Sequence, residues 1–246
     1  MAPSPKAIFQ RIGVFIIGVT LLADHSYPTS IVVFRGNDTL VIAADSKETI
    51  GTTQGNLYSK GRCKIHFTSG VVYGFSGLVG SEKTRFWPEE IARGVILKTS
   101  TVDVIAKRFV AASTEPLQKA IEQARRDSPV LYNTKIRHRS FSAIFGTLEG
   151  GHAKVSVIEF KEVGTGSKII LQPRITFDPG HTTRVIIGNH KAGNRYLGTG
   201  NAISDARRII QIEIADSPGD VGGPVDEAIL DAQGFSWIPP YGSCGR

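Results

Sequence analysis

Thr29-Ser30-Ile31-Val32-Val33-Phe34-Arg35-Gly36-Asn37-Asp38-Thr39-Leu40-Val41-Ile42-Ala43-Ala44-Asp45-Ser46-Lys47-Glu48-Thr49 is the stretch that decides the fold. Two near-continuous apolar runs, Ser30 to Phe34 and Thr39 to Ala44, flank a Gly36-Asn37-Asp38 turn signal. Unbroken apolar character, in place of strict alternation, predicts a hairpin buried on both faces. A second hairpin follows, in which Lys64-Ile65-His66-Phe67 turns at Ser69-Gly70 into Val71-Val72-Tyr73-Gly74-Phe75.

After Gly80 the period becomes helical. Ser100 or Thr101 is placed to cap a helix with Val102, Ile105, Ala106, Phe109 and Val110 on one face, and Pro116 predicts a break or restart before Leu117, Ala120, Ile121 and Ala124. Strands return at Phe141 to Phe145, Val155 to Phe160, Ile169 to Leu171 and Arg184 to Ile187. A helix is expected from Ala202 to Ala215 with Ile203, Ala206, Ile209 and Ile210 inward, then a closing hairpin around Ala228-Ile229-Leu230 and Phe235-Ser236-Trp237. This order is α+β, and two antiparallel sheets covered by helices on their outer faces satisfy it. The expected architecture is therefore a four-layer αββα sandwich.

With 246 residues, 41% of them apolar, the chain can bury one sizeable core, and a mean hydropathy of −0.04 is that of an ordinary globular protein. Lys6 and Arg11 precede an apolar run from Ile12 to Ala23, the layout of a signal peptide. That run makes only roughly 18 Å of helix against a hydrocarbon core of roughly 30 Å, which argues against a stable membrane span. The expectation is a signal peptide over residues 1–23, one domain over 24–246, and a secreted or periplasmic location. The formal charge is +7. Its densest basic patch, Arg137-His138-Arg139, has no interleaved aromatic residues, so nucleic acid is not an expected partner. No His-Glu-x-x-His, Cys-x-x-Cys or acidic cluster signals a metal, and no glycine loop signals a nucleotide cofactor. Cys63 and Cys244 are the only cysteines. They make no framework; pairing stays open, and a buried, unpaired Cys63 is the plainer expectation.

The stretch from Thr29 to Thr49, together with Lys64-Ile65-His66-Phe67 and the Gly74-Phe75-Ser76-Gly77 turn, resembles the opening of proteasome β subunits, which are N-terminal-nucleophile hydrolases. Members open their first strand with Thr, end the second with Ala-Ala-Asp-Ser and carry a Lys just ahead of Ile-His on the third. Asp45 lies sixteen residues past Thr29, as that pattern requires, and a loop insertion around Gly51 to Gly61 would account for the later Lys. The resemblance is dense over residues 29–80. It implies a threonine-type peptide or amide hydrolase and a possible homo-oligomer.

The chemistry explains the grouping. An N-terminal Thr supplies a hydroxyl nucleophile and, in its free α-amine, its own base. Lys64 beside Thr29 would lower the pKa of both groups, and Asp45 would hold that Lys charged and oriented. The backbone at Gly77 would serve as oxyanion donor. Two looser matches put Asn189 and Asp220 in supporting positions. The family has Ser at the first, and a Ser three residues after the second, where this chain has Gly223. Pro28 stands where active members have Gly, and a Thr29 nitrogen held in an amide is no base. The alternative is thus a non-catalytic scaffold or binding protein.

Overall fold

The computed structural model describes residues 29–51, 57–78, 85–97, 100–127, 129–137, 141–163, 169–178, 184–240 and 242–244. The segment expected from sequence to be a signal peptide, residues 1–23, lies outside them. Strands β1 (Ser30–Arg35) and β2 (Leu40–Asp45) form the expected first hairpin. Strands β3 (Lys47–Gly51) and β4 (Leu57–Gly61) pair only with each other, and β5 (Ile65–Thr68) and β6 (Val71–Gly77) form the second predicted hairpin. Ser69 and Gly70 both have positive φ, matching the right-handed twist of the strands they join.

Helix α1 (Pro88–Val95) precedes the long α2 (Val102–Asp127), after which come α3 (Pro129–Leu131) and a short π-turn. Then follow β7 (Phe141–Glu149), β8 (His152–Val163), β9 (Ile170–Phe177), β10 (Arg184–Gly188), α4 (Ala202–Asp216), β11 (Val225–Asp231) and β12 (Gly234–Trp237).

The four-layer αββα expectation is overturned by this arrangement. Strand predominates over helix among the described residues, and the strands sort into three antiparallel sheets: β10-β1-β2-β11-β12, the separate ribbon β3-β4, and β5-β6-β7-β8-β9. The stretch expected as a loop insertion, Gly51 to Gly61, supplies one strand of the two-stranded ribbon, because Leu57 to Gly61 pair residue for residue with Gly51 back to Lys47.

The side-chain period of two divides each hairpin between two cores. Ile31, Val33, Ile42 and Ala44 join Ile65, Val72, Ile144 and Val155 of the other five-stranded sheet in one cluster. Their alternates Val32, Val41 and Ala43 meet Ala206, Ile209 and Ile210 of α4. That double burial is why the opening runs carry no polar alternation. A third cluster sets Tyr73, Phe75, Phe141 and Phe145 against Ile105, Phe109, Leu117 and Ile121 of α2. Phe109 is fully buried among these rings, and its burial contributes about 3 kcal/mol.

Two helical expectations need correction. α2 runs straight through Pro116, because Leu117, Ala120 and Ile121 continue its buried stripe and together outweigh the roughly 3 kcal/mol that an internal proline costs. In α4, Ile203 is 37% exposed rather than inward, while Ala206, Ile209 and Ile210 are fully buried.

Candidate functional site

Three strand ends meet at one corner. Thr29 stands immediately before β1, Asp45 ends β2 and Lys64 stands immediately before β5. Lys64 Nζ donates to Thr29 Oγ1 at 3.1 Å and lies 3.0 Å from each Asp45 carboxylate oxygen. All three are buried, Asp45 completely.

Asp45 is held on every side. Besides Lys64, it accepts from the backbone N–H groups of Ser30 at 2.8 Å and of Lys47 and Gly222, both at 3.2 Å. Burial, the largest influence on both partners, pushes the Asp45 carboxyl up and the Lys64 ammonium down. Their mutual attraction and the N–H donors to Asp45 work in the opposite sense. Lys64 is therefore an amine of lowered pKa set directly against a hydroxyl, and in its ammonium form it favours loss of the hydroxyl proton.

Asn189, which follows β10, is also brought to Thr29. Its N–H donates to the Thr29 carbonyl at 2.8 Å, and its own carbonyl accepts from Ser30 Oγ at 2.8 Å. The Asn189 Nδ2 amide is buried and has no hydrogen-bond partner among the described residues. Gly188 makes this junction possible: its φ is +83°, and a Cβ there would overlap the Thr29 carbonyl and Ser76 Oγ.

Asp220 is buried in the turn after α4, where its N–H bonds to the Ser217 carbonyl. Its loop reaches Asp45 through the main chain of Gly222, whose N–H binds the carboxylate while its carbonyl accepts from Ser46 and Lys47. Lys47 Nζ fastens the same loop by donating to the carbonyls of Pro218 at 2.7 Å and Gly219 at 2.8 Å. Glycine at 223, where a Ser was looked for, has a physical reason: φ is +77°, and Ser46 Oγ occupies the space a side chain would need.

A cavity of about 40 Å³ opens beside Thr29, and Gly77, with φ +99°, is in its wall. The rest of the lining comprises Glu48, Arg62, Cys63, Lys64, His66, Phe75, Pro88 and Glu89. Arg62 bonds Glu48 at 2.7 Å and lies 3.9 Å from Glu89. His66 Nδ1 lies 3.7 Å from Glu89; burial lowers the His66 pKa, against the pull of the Glu89 carboxylate. None of these polar lining residues apart from Lys64 was a sequence candidate. Only the chain position of Glu48, three residues past Asp45, hinted at the site. Cys63 and Cys244 form a disulfide, so the unpaired Cys63 expected from sequence is corrected. Among the described residues no group of His, Cys, Asp and Glu is placed to hold a metal ion, and no helix is long and apolar enough to cross a membrane.

Scanned against models of protein families, the chain matches none, and a search of curated proteins finds no match.

Proposed function

We propose that the chain is a threonine-type hydrolase of peptide or small amide bonds, related to proteasome β subunits, with Thr29 acting as nucleophile and base once its nitrogen is freed. The observation that carries this reading is the contact of the Lys64 ammonium with Thr29 Oγ1 at 3.1 Å while it is clamped by Asp45. The freed α-amine takes the hydroxyl proton as Oγ1 attacks the substrate carbonyl carbon. The Gly77 N–H receives the resulting oxyanion, and the leaving amine departs with the proton held by the α-amine. Water, activated by the same amine, then hydrolyses the Thr29 ester and regenerates the hydroxyl.

A scaffold or binding role is the second reading, and Pro28 favours it, since an uncleaved Pro28–Thr29 bond leaves an amide nitrogen that cannot accept a proton. Intact mass of the mature protein separates the two. The hydrolase reading requires a chain beginning at Thr29 that releases dye from a peptide anilide. Thr29→Ala should reduce that release at least about 1,000-fold. Unchanged release in Thr29→Ala would remove Thr29 from the mechanism.

A further inference from the structure

The last described residues reach the back of the same corner. Cys63, which lines the cavity and directly precedes Lys64, is joined to Cys244 across 181 positions of sequence. The Cys244 N–H donates to Asp226 Oδ1 at 2.8 Å, and at Gly242 a Cβ would collide with that same carboxylate. Residues 242–244 are therefore seated on Asp226 with no space between them.

Asp226 lies on β11 opposite Ala44 of β2, one step from the register position of Asp45 opposite Val225. It is 1% exposed, and its Oδ2 has no hydrogen-bond partner among the described residues. A buried carboxylate left with one oxygen unpaired is costly, and a nearby cation offsets part of that cost. Lys64 feels that charge: the carboxylates of Asp45 from β2, Glu48 from β3 and Asp226 from β11 each favour its ammonium against the effect of burial.

We propose that Asp226 and the Cys63–Cys244 disulfide form a positioning unit for Lys64, the oxidised tail fixing Asp226 behind the ammonium and holding the start of β5 where Nζ meets both Asp45 and Thr29. Asp226 acts through Lys64 and is a positioning residue. The catalytic half of this inference rests on the Thr29 hydrolase reading; the positioning half does not. A further consequence is that the site is complete only in the oxidised chain. A dithiol, delivering two electrons and two protons to make two thiols, releases the tail from Cys63.

The test follows the Lys64 Cε signal by NMR through a pH titration of the full mature chain labelled with ¹³C-lysine, the signal being assigned by its loss in Lys64→Arg. Asp226→Asn should move the Lys64 midpoint to lower pH, and Asp226→Glu should restore it. The Cys63→Ala/Cys244→Ala variant and the dithiol-reduced wild type should move it in the same direction as Asp226→Asn. If the wild type hydrolyses amides, the same variants should lose roughly ten- to a hundredfold in kcat with little change in KM. A Lys64 midpoint that stays put in Asp226→Asn and after reduction, while urea midpoints fall, overturns the proposal and leaves the tail as a stabilising clasp. Should the wild type show no hydrolysis, the Thr29 reading fails, and the Lys64 titration still decides whether Asp226 and the tail position the ammonium. If Asp226→Asn does not fold, the reduced wild type and the Cys63→Ala/Cys244→Ala variant carry the same measurement.

Discussion

Asp45 and Asp205 are both aspartates shut away from solvent, at 0% and 2% exposure, and both are surrounded by hydrogen-bond donors. They differ in what the donors are. Asp45 faces a lysine that can give up its proton and that also touches the hydroxyl of Thr29 at a cavity. Asp205 accepts from the N–H and hydroxyl of Thr199, the N–H of Gly200 and the Tyr196 hydroxyl, none of which titrates near neutral pH. Burial pushes both carboxyls up. For Asp45 burial prevails, whereas for Asp205 the Thr199, Tyr196 and Gly200 donors outweigh it and hold the carboxyl below its usual value. A buried carboxylate with a full set of neutral donors is a loop clamp. One poised against an ionisable partner and a nucleophile is a candidate for chemistry.

The sharpest way to break that contrast is to remove the ionisable partner. Lys64→Met keeps the length of the side chain and deletes the charge, so Asp45 is left buried without its cation. Hydrolysis should fall at least about 1,000-fold, and stability by roughly 3–5 kcal/mol in urea unfolding. Normal hydrolysis in this variant would put Asp45 in the same class as Asp205.

The second test acts on the clamp. Asp205→Asn removes the charge that four donor groups are arranged to receive, and should cost about 2 kcal/mol in urea unfolding at pH 7 while leaving amide hydrolysis within about twofold. Its pH dependence has a definite sign. Because the folded carboxyl titrates below its usual value near 3.8, the unfolded chain binds more protons in the acid range. The stabilisation is thus present above the unfolded pKa and disappears as pH falls through the folded one. Urea midpoints measured from about pH 5 downward should decline less steeply in Asp205→Asn than in the wild type. Equal slopes would show that the clamp contributes no pH-dependent stability.

The same contrast explains what was legible in the sequence. Thr29, Asp45 and Lys64 were placed together by the family motif that residues 29–80 resemble; what the apolar patterns supplied was the strands at whose ends they lie. Helix α4 was legible for its spacing of Ala206, Ile209 and Ile210, although its cap, Asn201 accepting from the Ser204 N–H, was missed. The ribbon of β3 and β4 was not legible. Lys47-Glu48-Thr49-Ile50-Gly51 and Leu57-Tyr58-Ser59-Lys60-Gly61 carry too few apolar residues to announce strands, and their mutual pairing holds them. With that ribbon went Glu48, and Glu89 was lost because α1 had no counterpart in the sequence reading. Pairing of Cys63 with Cys244 stayed open because nothing in the 181 positions between them says whether the two meet. Asp205 was read past altogether, since its role exists only once Gly198 to Gly200 fold back over the start of α4.

The smallest effect is expected from trimming the clamp by a single donor. Tyr196→Phe deletes the hydroxyl that donates to Asp205 Oδ1 at 2.9 Å and leaves the ring beside α4. Thr199 and Gly200 still satisfy the carboxylate, so one hydrogen bond is lost with no orphan left behind, and the urea midpoint should fall by less than in Asp205→Asn. The bond also acts on the phenol: Asp205 raises the Tyr196 pKa above its ordinary value, with burial adding to it. Ultraviolet titration of the wild type against Tyr196→Phe should therefore reveal one tyrosine ionising later than an ordinary phenol, and Asp205→Asn should bring that tyrosine back toward the ordinary range. If Tyr196→Phe instead cost as much as Asp205→Asn, the clamp would hang on the phenol alone, and the redundancy of neutral donors that sets Asp205 apart from Asp45 would be illusory.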